Sequence, residues 1–425
     1  MKDVLTIIMA GGRGKRLMPL TEERAKPAVP FGGIYRLIDI PLSNCINSQL
    51  YKILIFPQYK SQSLVDHIEE GWNIFSTGLG HYLRVVAPQQ RVGEGWYRGT
   101  ADSVRQNLYL IKREMPRHVL ILSGDHVYKM DYMAFREYHE KVGGDVTVAL
   151  LEVDRAQGHE FGIAGVDNDF RIRAWEEKPK EPKPIPDEPE RCLASMGIYL
   201  FRTEVILDLL EKSDYTDFGG DIIPRIVDEL KICAYPYRRM NRIRDYILQV
   251  DPDGVRRLLL VEATRDSQYW RDVGTLDSYW NANMDLTGVD PFFNLYGRLW
   301  PVRNRPHQYP PAKFVFNQPE EATPRTGAAV DSLVSPGCII SGGTVRSSVL
   351  SCDVTVRSWA QVDESVIMDH VEVGRHCKIK KAIIDKDNVI PPNTEIGINP
   401  QADREKFTVT PRGIVVVPKE YFRPQ

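Results

Sequence analysis

Directly after the apolar run VLTIIMA, which begins at Val4, comes the segment GGRGKRLMPLTEERAKPAVP, Gly11 to Pro30. Glycines that follow a buried strand let backbone N–H groups close in on an anion and form a nest. The segment carries Arg13, Lys15, Arg16, Arg24 and Lys26 against Glu22 and Glu23, a local charge of +3. Its chemistry is therefore anion binding, phosphate above all. It is not a Walker loop, because no G-x-x-x-x-G-K-[ST] spacing passes through Gly14 and Lys15. Nor is it a dinucleotide fingerprint, since Leu17 stands where the third glycine belongs. A solvated turn would also use such glycines; the flanking RLMPLT and RAKPAV favour the phosphate reading. A carboxylate is placed comparably. Asp125 ends the run HVLILSGD, at the carboxyl edge of a strand, where open α/β sheets bind ligands.

These residues need a scaffold. Up to about residue 285, continuous apolar runs such as KILIF (from Lys52), DVTVALLEV (from Asp145) and GIYLF (from Gly197) suit strands buried on both faces. Stretches such as SVRQNLYLIKREM between them are long enough for crossover helices. The alternation predicts a mostly parallel, Rossmann-like α/β domain over residues 1–288. PKEPKPIPDEPE, from Pro179 to Glu190, reads as an exposed loop within it. Prolines at 291, 301, 306, 310, 311, 319 and 324 mark residues 289–327 as a linker or strap.

Beyond it lies a hidden period. Leu333, Leu350, Ile367 and Ile384 are spaced by 17, as are Ile339, Val356, Val373 and Ile390, and Val345, Val362, Ile379 and Ile396. All of these positions are Leu, Ile or Val. Interleaved spacings of 6, 6 and 5 mean three inward residues per turn, and so a parallel β-helix of about four coils within residues 328–425.

Composition narrows the function classes. Of 425 residues, 55 are Lys or Arg and 57 Asp or Glu, a net charge of −2. No global basic field exists to hold a nucleic-acid backbone or an acidic membrane. No run approaches the ~18 apolar residues of a membrane span. No basic segment and cleavage site precede the first strand, so a cytoplasmic protein is expected. The six cysteines are scattered without a C-x-x-C pair, which fits buried free thiols rather than zinc or disulfides.

The loop GGRGKRLMPLT with AKPAVPFGG resembles the signature of the sugar nucleotidyltransferases. The longer RAKPAVPFGGIYRLIDIPLSNCINS resembles the bacterial glucose-1-phosphate adenylyltransferases (ADP-glucose pyrophosphorylases) of glycogen synthesis. APQQ, WYRGTADSV, LSGDHVYKMDY, EFGIAGV, WEEKP, LASMGIYLF, DFGGDIIP and YWRDVGTLDSYWNANMDL follow in family order. The resemblance implies a GT-A-like catalytic domain followed by a left-handed β-helix. It implies ATP plus α-D-glucose 1-phosphate giving ADP-glucose and pyrophosphate. A sugar phosphate is already anionic near neutral pH, so positioning and charge neutralisation outweigh general-base chemistry.

Residue by residue, the resemblance implies that Gly11, Gly12, Gly14, Arg16 and Lys26 hold the triphosphate. Arg16, Lys26 and Asp125 act in catalysis. Asp125 and Asp272 of WRDVGT hold Mg²⁺, and Tyr97, Gly162, Glu177, Lys178 and Ser195 form the glucose 1-phosphate pocket. Gln58 and Trp96 relay regulation. Arg24, Arg36, Arg113, Lys386, Lys419 and Arg423 match basic positions for small anionic effectors of a homotetramer. Glu23 and Pro30 depart from the lysine and histidine of the enteric type, so fructose 1,6-bisphosphate gives way to fructose 6-phosphate or pyruvate as comparable activators. Three other readings compete: a nucleotidyltransferase using UTP, GTP or dTTP, a non-catalytic regulatory subunit, and an acyltransferase. The last needs more coils and a catalytic histidine in a clefted trimer.

Overall fold

The computed structural model describes residues 3–88, 96–186, 188–305, 308–318, 320 and 324–423. Gln89 and Gln90 of the APQQ motif, and Pro306 and Pro319 of the strap, lie outside them.

The apolar runs form the central sheet. Val4–Ala10 lies between Lys52–Pro57 and His118–Ser123, parallel to both, and Tyr82–Val85 adds a parallel edge. Val4–Ala10 is buried on both faces, as its unbroken apolar sequence requires. The sheet turns antiparallel at the long strand Arg191–Arg202, which pairs with His118–Ser123, Gly162–Val166 and Val146–Asp154. A register shift between Ser195 and Ile198, with Gly197 at φ +67°, lets this strand serve different neighbours along its length. The crossover stretch forms two short helices, Thr100–Gln106 and Leu108–Glu114. Within the proline-rich loop Ile185 is buried, so that loop is pinned to the domain rather than wholly exposed.

The strap crosses the catalytic domain: Trp300 Nε1 donates to Asn44 Oδ1 at 2.9 Å and Arg303 N to Ser43 Oγ at 2.8 Å. Its last part is not linker. Lys313–Val315 pairs in parallel with Ile339–Ser341 and opens one face of the helical domain before residue 328.

Three stacks of short parallel strands follow, and the ladder Val345, Val362, Ile379, Ile396 is in register and buried. The other two ladders depart from the 17-residue spacing in the first coil. Val334 pairs with Leu350 and Ile340 with Val356, so the inward residues are Val334 and Ile340, not Leu333 and Ile339. That coil is one residue shorter, and a one-residue slip turns a side chain to the opposite face. Ile340 is buried while Ile339 is exposed. Leu333 packs against the catalytic core instead. Val415–Val417 returns after the helix Pro400–Lys406 to extend the third stack beside Ala382–Ile384.

Core formation ignores the boundary between the halves. Val366, Met368, Ile383, Ile414 and Val416 of the β-helix belong to one buried apolar cluster with Val4, Ile8 and Leu17. No helix among the described residues is long and apolar enough to cross a membrane.

Candidate active site

The glycine loop leaves the carboxyl end of Val4–Ala10 and is anchored by Leu17 and Leu20, both buried. Gly14 sits at φ +56°, where an added Cβ would press on Thr21 at 3.0 Å and on Lys26 at 3.3 Å. Only glycine meets both demands. Thr21 Oγ1 donates to Gly14 O at 2.9 Å and closes the loop. Gly11, Gly12, Arg13, Lys15 and Arg16 are exposed along it, leaving their donors to solvent.

Lys26 is buried on the short helical turn Lys26–Ala28, which Pro27 fixes. Its Nζ lies 2.7 Å from Asp125 Oδ2 and 3.4 Å from Asp272 Oδ1. Asp125 follows the strand His118–Ser123, and Ser123 Oγ donates to its Oδ1. Asp272 arrives on a different element. Trp270–Asp272 pairs antiparallel with His126–Tyr128, which sets Asp272 opposite His126. His126 Nε2 is 3.6 Å from Asp125 and 3.8 Å from Asp272.

Burial pushes the Asp125 carboxyl upward, but Lys26 and then His126 outweigh it and hold that carboxyl well below the ordinary range. Burial likewise opposes the charge on Lys26, and Asp125 and Asp272 together raise its ammonium above the ordinary value. Both groups are therefore ionised across the neutral range. Arg16 borders this cluster, since an added Cβ on Gly274 would meet Asp272 Oδ2 at 2.6 Å and Arg16 Nη2 at 3.1 Å.

A second cluster adjoins the first. Glu177 pairs with Gly162, and an added Cβ on Gly162 would meet Glu177 Oε2 at 2.8 Å and the Trp175 ring at 3.0 Å. Absence of that Cβ makes room for the carboxylate. Ser195 Oγ lies 3.4 Å from Tyr199 Oη and accepts from Gly197 N at 3.2 Å. Gly219 brings the loop DFGGDI against both Tyr199 and Glu177. Lys178 extends from Glu177 with its Nζ exposed, 3.4 Å from Glu177 Oε1. Gly197 borders His126, and Trp270 stacks edge-on to His126 and Phe161, which joins the two clusters.

The chain matches the family model described as nucleotidyl transferase over residues 5–288. It also matches the GlmU-like, C-terminal hexapeptide model over residues 310–417, the left-handed β-helix type. A glucose-1-phosphate adenylyltransferase of Rhodopirellula baltica is 48% identical over 98% of this chain and 90% of its own length. One of Koribacter versatilis is 47% identical over 99% and 96%, and one of Methylococcus capsulatus 47% over 98% and 93%. The chain belongs to the glucose-1-phosphate adenylyltransferase family.

Not every position that this family suggests falls into one of the two clusters. Tyr97 is buried with its hydroxyl accepting from Asn107 at 2.8 Å, and its carbonyl accepts from Gln58 Nε2 at 2.7 Å. Gln58 and the exposed Trp96 line a hollow of about 320 Å³ with Gly12, Arg13 and Tyr59, on the side of the glycine loop. Arg24 is corrected: it is buried and forked onto Asp385 of the β-helix, at 2.9 and 3.0 Å, so it docks the two halves and offers no open anion site. Arg36 donates to Ser63. Lys386 pairs with Asp369, and Arg423 with Glu420. Lys419 contacts Glu420 at 3.2 Å and Glu23 at 3.4 Å, so the acidic residue that departs from the enteric adenylyltransferases has a cation across the boundary. Arg113 stands apart from these, in a groove beside the edge strand Tyr82–Val85.

His126 is given no role by the sequence motifs, yet it faces both carboxylates. Tyr199 and Gly219 were legible only as letters inside family motifs. Tyr199 is buried with its hydroxyl beside Ser195, burial raises that hydroxyl above the ordinary value, and the placement has no one-dimensional signal.

Proposed function

We propose that the chain transfers the adenylyl group of ATP to α-D-glucose 1-phosphate, releasing pyrophosphate and forming ADP-glucose for glycogen synthesis. One observation carries the reading: a buried lysine shared by two aspartates beside a glycine nest, at the carboxyl edge of a sheet, in a chain similar throughout to proteins of that name.

The nest and Arg16 bind the triphosphate, and the Glu177–Ser195 cluster with Lys178 orients the sugar phosphate. A phosphate oxygen of glucose 1-phosphate attacks the α-phosphorus of ATP in line. The bond to the β-phosphate oxygen breaks, and pyrophosphate carries away the electron pair. Lys26 neutralises charge on the phosphates and is held between Asp125 and Asp272.

Asp125 and Asp272 fit Mg²⁺ by their chemistry. Both offer carboxylate oxygens that already face one cation, the Lys26 ammonium, and Mg²⁺ commonly takes one or two carboxylates plus substrate phosphates. When bound, Mg²⁺ supplies charge neutralisation and orientation of the phosphates. Gln58 and Trp96 couple effector state to the nucleotide side, and Arg36, Arg113, Lys386, Lys419 and Arg423 serve small anions in a homotetramer.

The test is pyrophosphate release with glucose 1-phosphate and each of ATP, UTP, GTP and dTTP, with and without Mg²⁺. ATP should dominate and Mg²⁺ should be required; preference for UTP overturns the assignment.

A further inference from the structure

Asp245–Val250 and Arg256–Val261 form a hairpin that joins no other sheet among the described residues. Asp251 N donates to Val255 O at 2.9 Å, Gly254 N to Asp251 O at 2.8 Å, and Gly254 sits at φ +77°, a type I turn with a bulge. This turn sets the phase of the ladder. Counting from the bonded 251–255 position, pairs 249–257 and 247–259 are hydrogen-bonded and 248–258 and 246–260 are not. The backbone groups of Arg256, Leu258 and Leu260 therefore point outward, to an open edge.

A two-stranded hairpin alone is marginal in water. This one is apolar on both faces. Tyr246, Leu248, Val250, Leu258 and Leu260 alternate onto one and Ile247 and Leu259 onto the other, each between 37% and 60% exposed. Asp245–Val250 is turned to the body, where Tyr246, Ile247 and Leu248 line a groove with Val289, Tyr296 and Leu333. Residues 256–260 are all exposed and line no such groove. A free edge with apolar side chains is a template for another strand.

We infer that this edge pairs antiparallel with the same edge of a second copy of the chain, about a twofold axis at Leu259. The ladder phase permits it. Leu258 of one copy exchanges backbone bonds with Leu260 of the other, and Leu259 faces Leu259 as a close, non-bonded pair. Charge selects the register. An axis at Leu259 sets Arg256 opposite Glu262, one residue past the strand, twice by symmetry. The contact of Glu262 with Arg244 at 3.4 Å is an exposed and exchangeable surface pair. An axis at Leu258 or Leu260 opposes Arg256 to Leu260 or Thr264. The product is a four-stranded sheet. The turn sets Asp251 and Asp253 against Arg256 and Arg257, so it carries no net positive charge to draw it to an anionic lipid surface.

Cysteine cross-linking of the full chain tests the axis. All six native cysteines are buried, so a surface thiol reports alone. Non-bonded antiparallel neighbours lie about 4.5 Å apart at Cα, within the disulfide range of about 4.4–6.8 Å. Leu259→Cys should give a disulfide-linked pair of chains on mild oxidation. Val255→Cys should not, because its two copies would stand roughly 27 Å apart along the strands. Adding Arg256→Glu to Leu259→Cys should lower the yield about tenfold, since like charges then face each other, and Glu262→Arg on top should restore it. Equal cross-linking at 259 and 255, or a charge swap without rescue, overturns the pairing. So does flotation on phosphatidylglycerol vesicles without a cross-link at 259, which would make the hairpin a lipid-binding element. Unchanged circular dichroism and melting temperature guard against misfolding.

Discussion

Arg24 and Lys26 stand two residues apart, both are buried, and both face aspartate from a distant part of the chain, yet they are built for different tasks. Arg24 gives its planar fork to one carboxylate, Asp385, with bonds of 2.9 and 3.0 Å and little left for any other partner. Lys26 is a point charge divided between Asp125 at 2.7 Å and Asp272 at 3.4 Å. A fork saturated by a single acid fixes geometry, whereas an ammonium shared unequally can move toward an incoming phosphate. Burial and pairing are common to both residues; what separates them is the division of partners.

The largest expected effect tests the catalytic side. Lys26→Ala or Asp125→Ala should lower turnover about 10²- to 10³-fold in pyrophosphate release while circular dichroism stays native. Near-wild-type turnover in either variant would remove the distinction between the two cations. Arg24→Ala should instead strike stability, by about 3–5 kcal/mol in urea unfolding, because Asp385 is left buried and unpaired. Arg24→Met with Asp385→Leu should recover most of that loss; a destabilised double variant would mean that Arg24 does more than dock.

A pH experiment separates them further. The folded Asp125 carboxyl lies below its unfolded value, so its contribution to stability is complete above the unfolded value of about 3.9 and is lost as pH falls through the folded one. The stability gap between wild type and Asp125→Asn should be level above about pH 5 and narrow in more acidic buffer. A gap that widened there would contradict the assignment of charge. The smallest effect belongs to another bond across the boundary, Trp280 Nε1 to Glu364 O at 2.8 Å. Trp280→Phe should cost only about 0.5–1.5 kcal/mol by the same unfolding measurement.

Much of this was legible in one dimension. The 17-residue ladder at Val345, Val362, Ile379 and Ile396 survives into the structure because a stacked coil repeats the same local demand at each turn. The exception, Ile339 against Ile340, arises where the first coil drops a residue, and a fixed-period reading cannot sense a deletion when both neighbours are isoleucine. Gly14 and Asp125 could be placed from sequence because a strand end positions each directly. That Arg24 docks the two halves rather than meeting an effector was not legible, since its partner Asp385 lies in another domain and no local pattern points to it. His126 has no signal of its own in the sequence, because it is the ribbon delivering Asp272 that sets that carboxylate beside its ring.

The apolar cluster that runs from Val4 and Ile8 into Met368, Ile383 and Val416 makes the two architectures one cooperative unit. Separating them would strip oily surface from both at once, so heat should melt the whole chain in a single step rather than half by half. For the β-helix to swing like a door on a hinge it would have to expose that same apolar surface, which sets a free-energy cost on any opening of the seam.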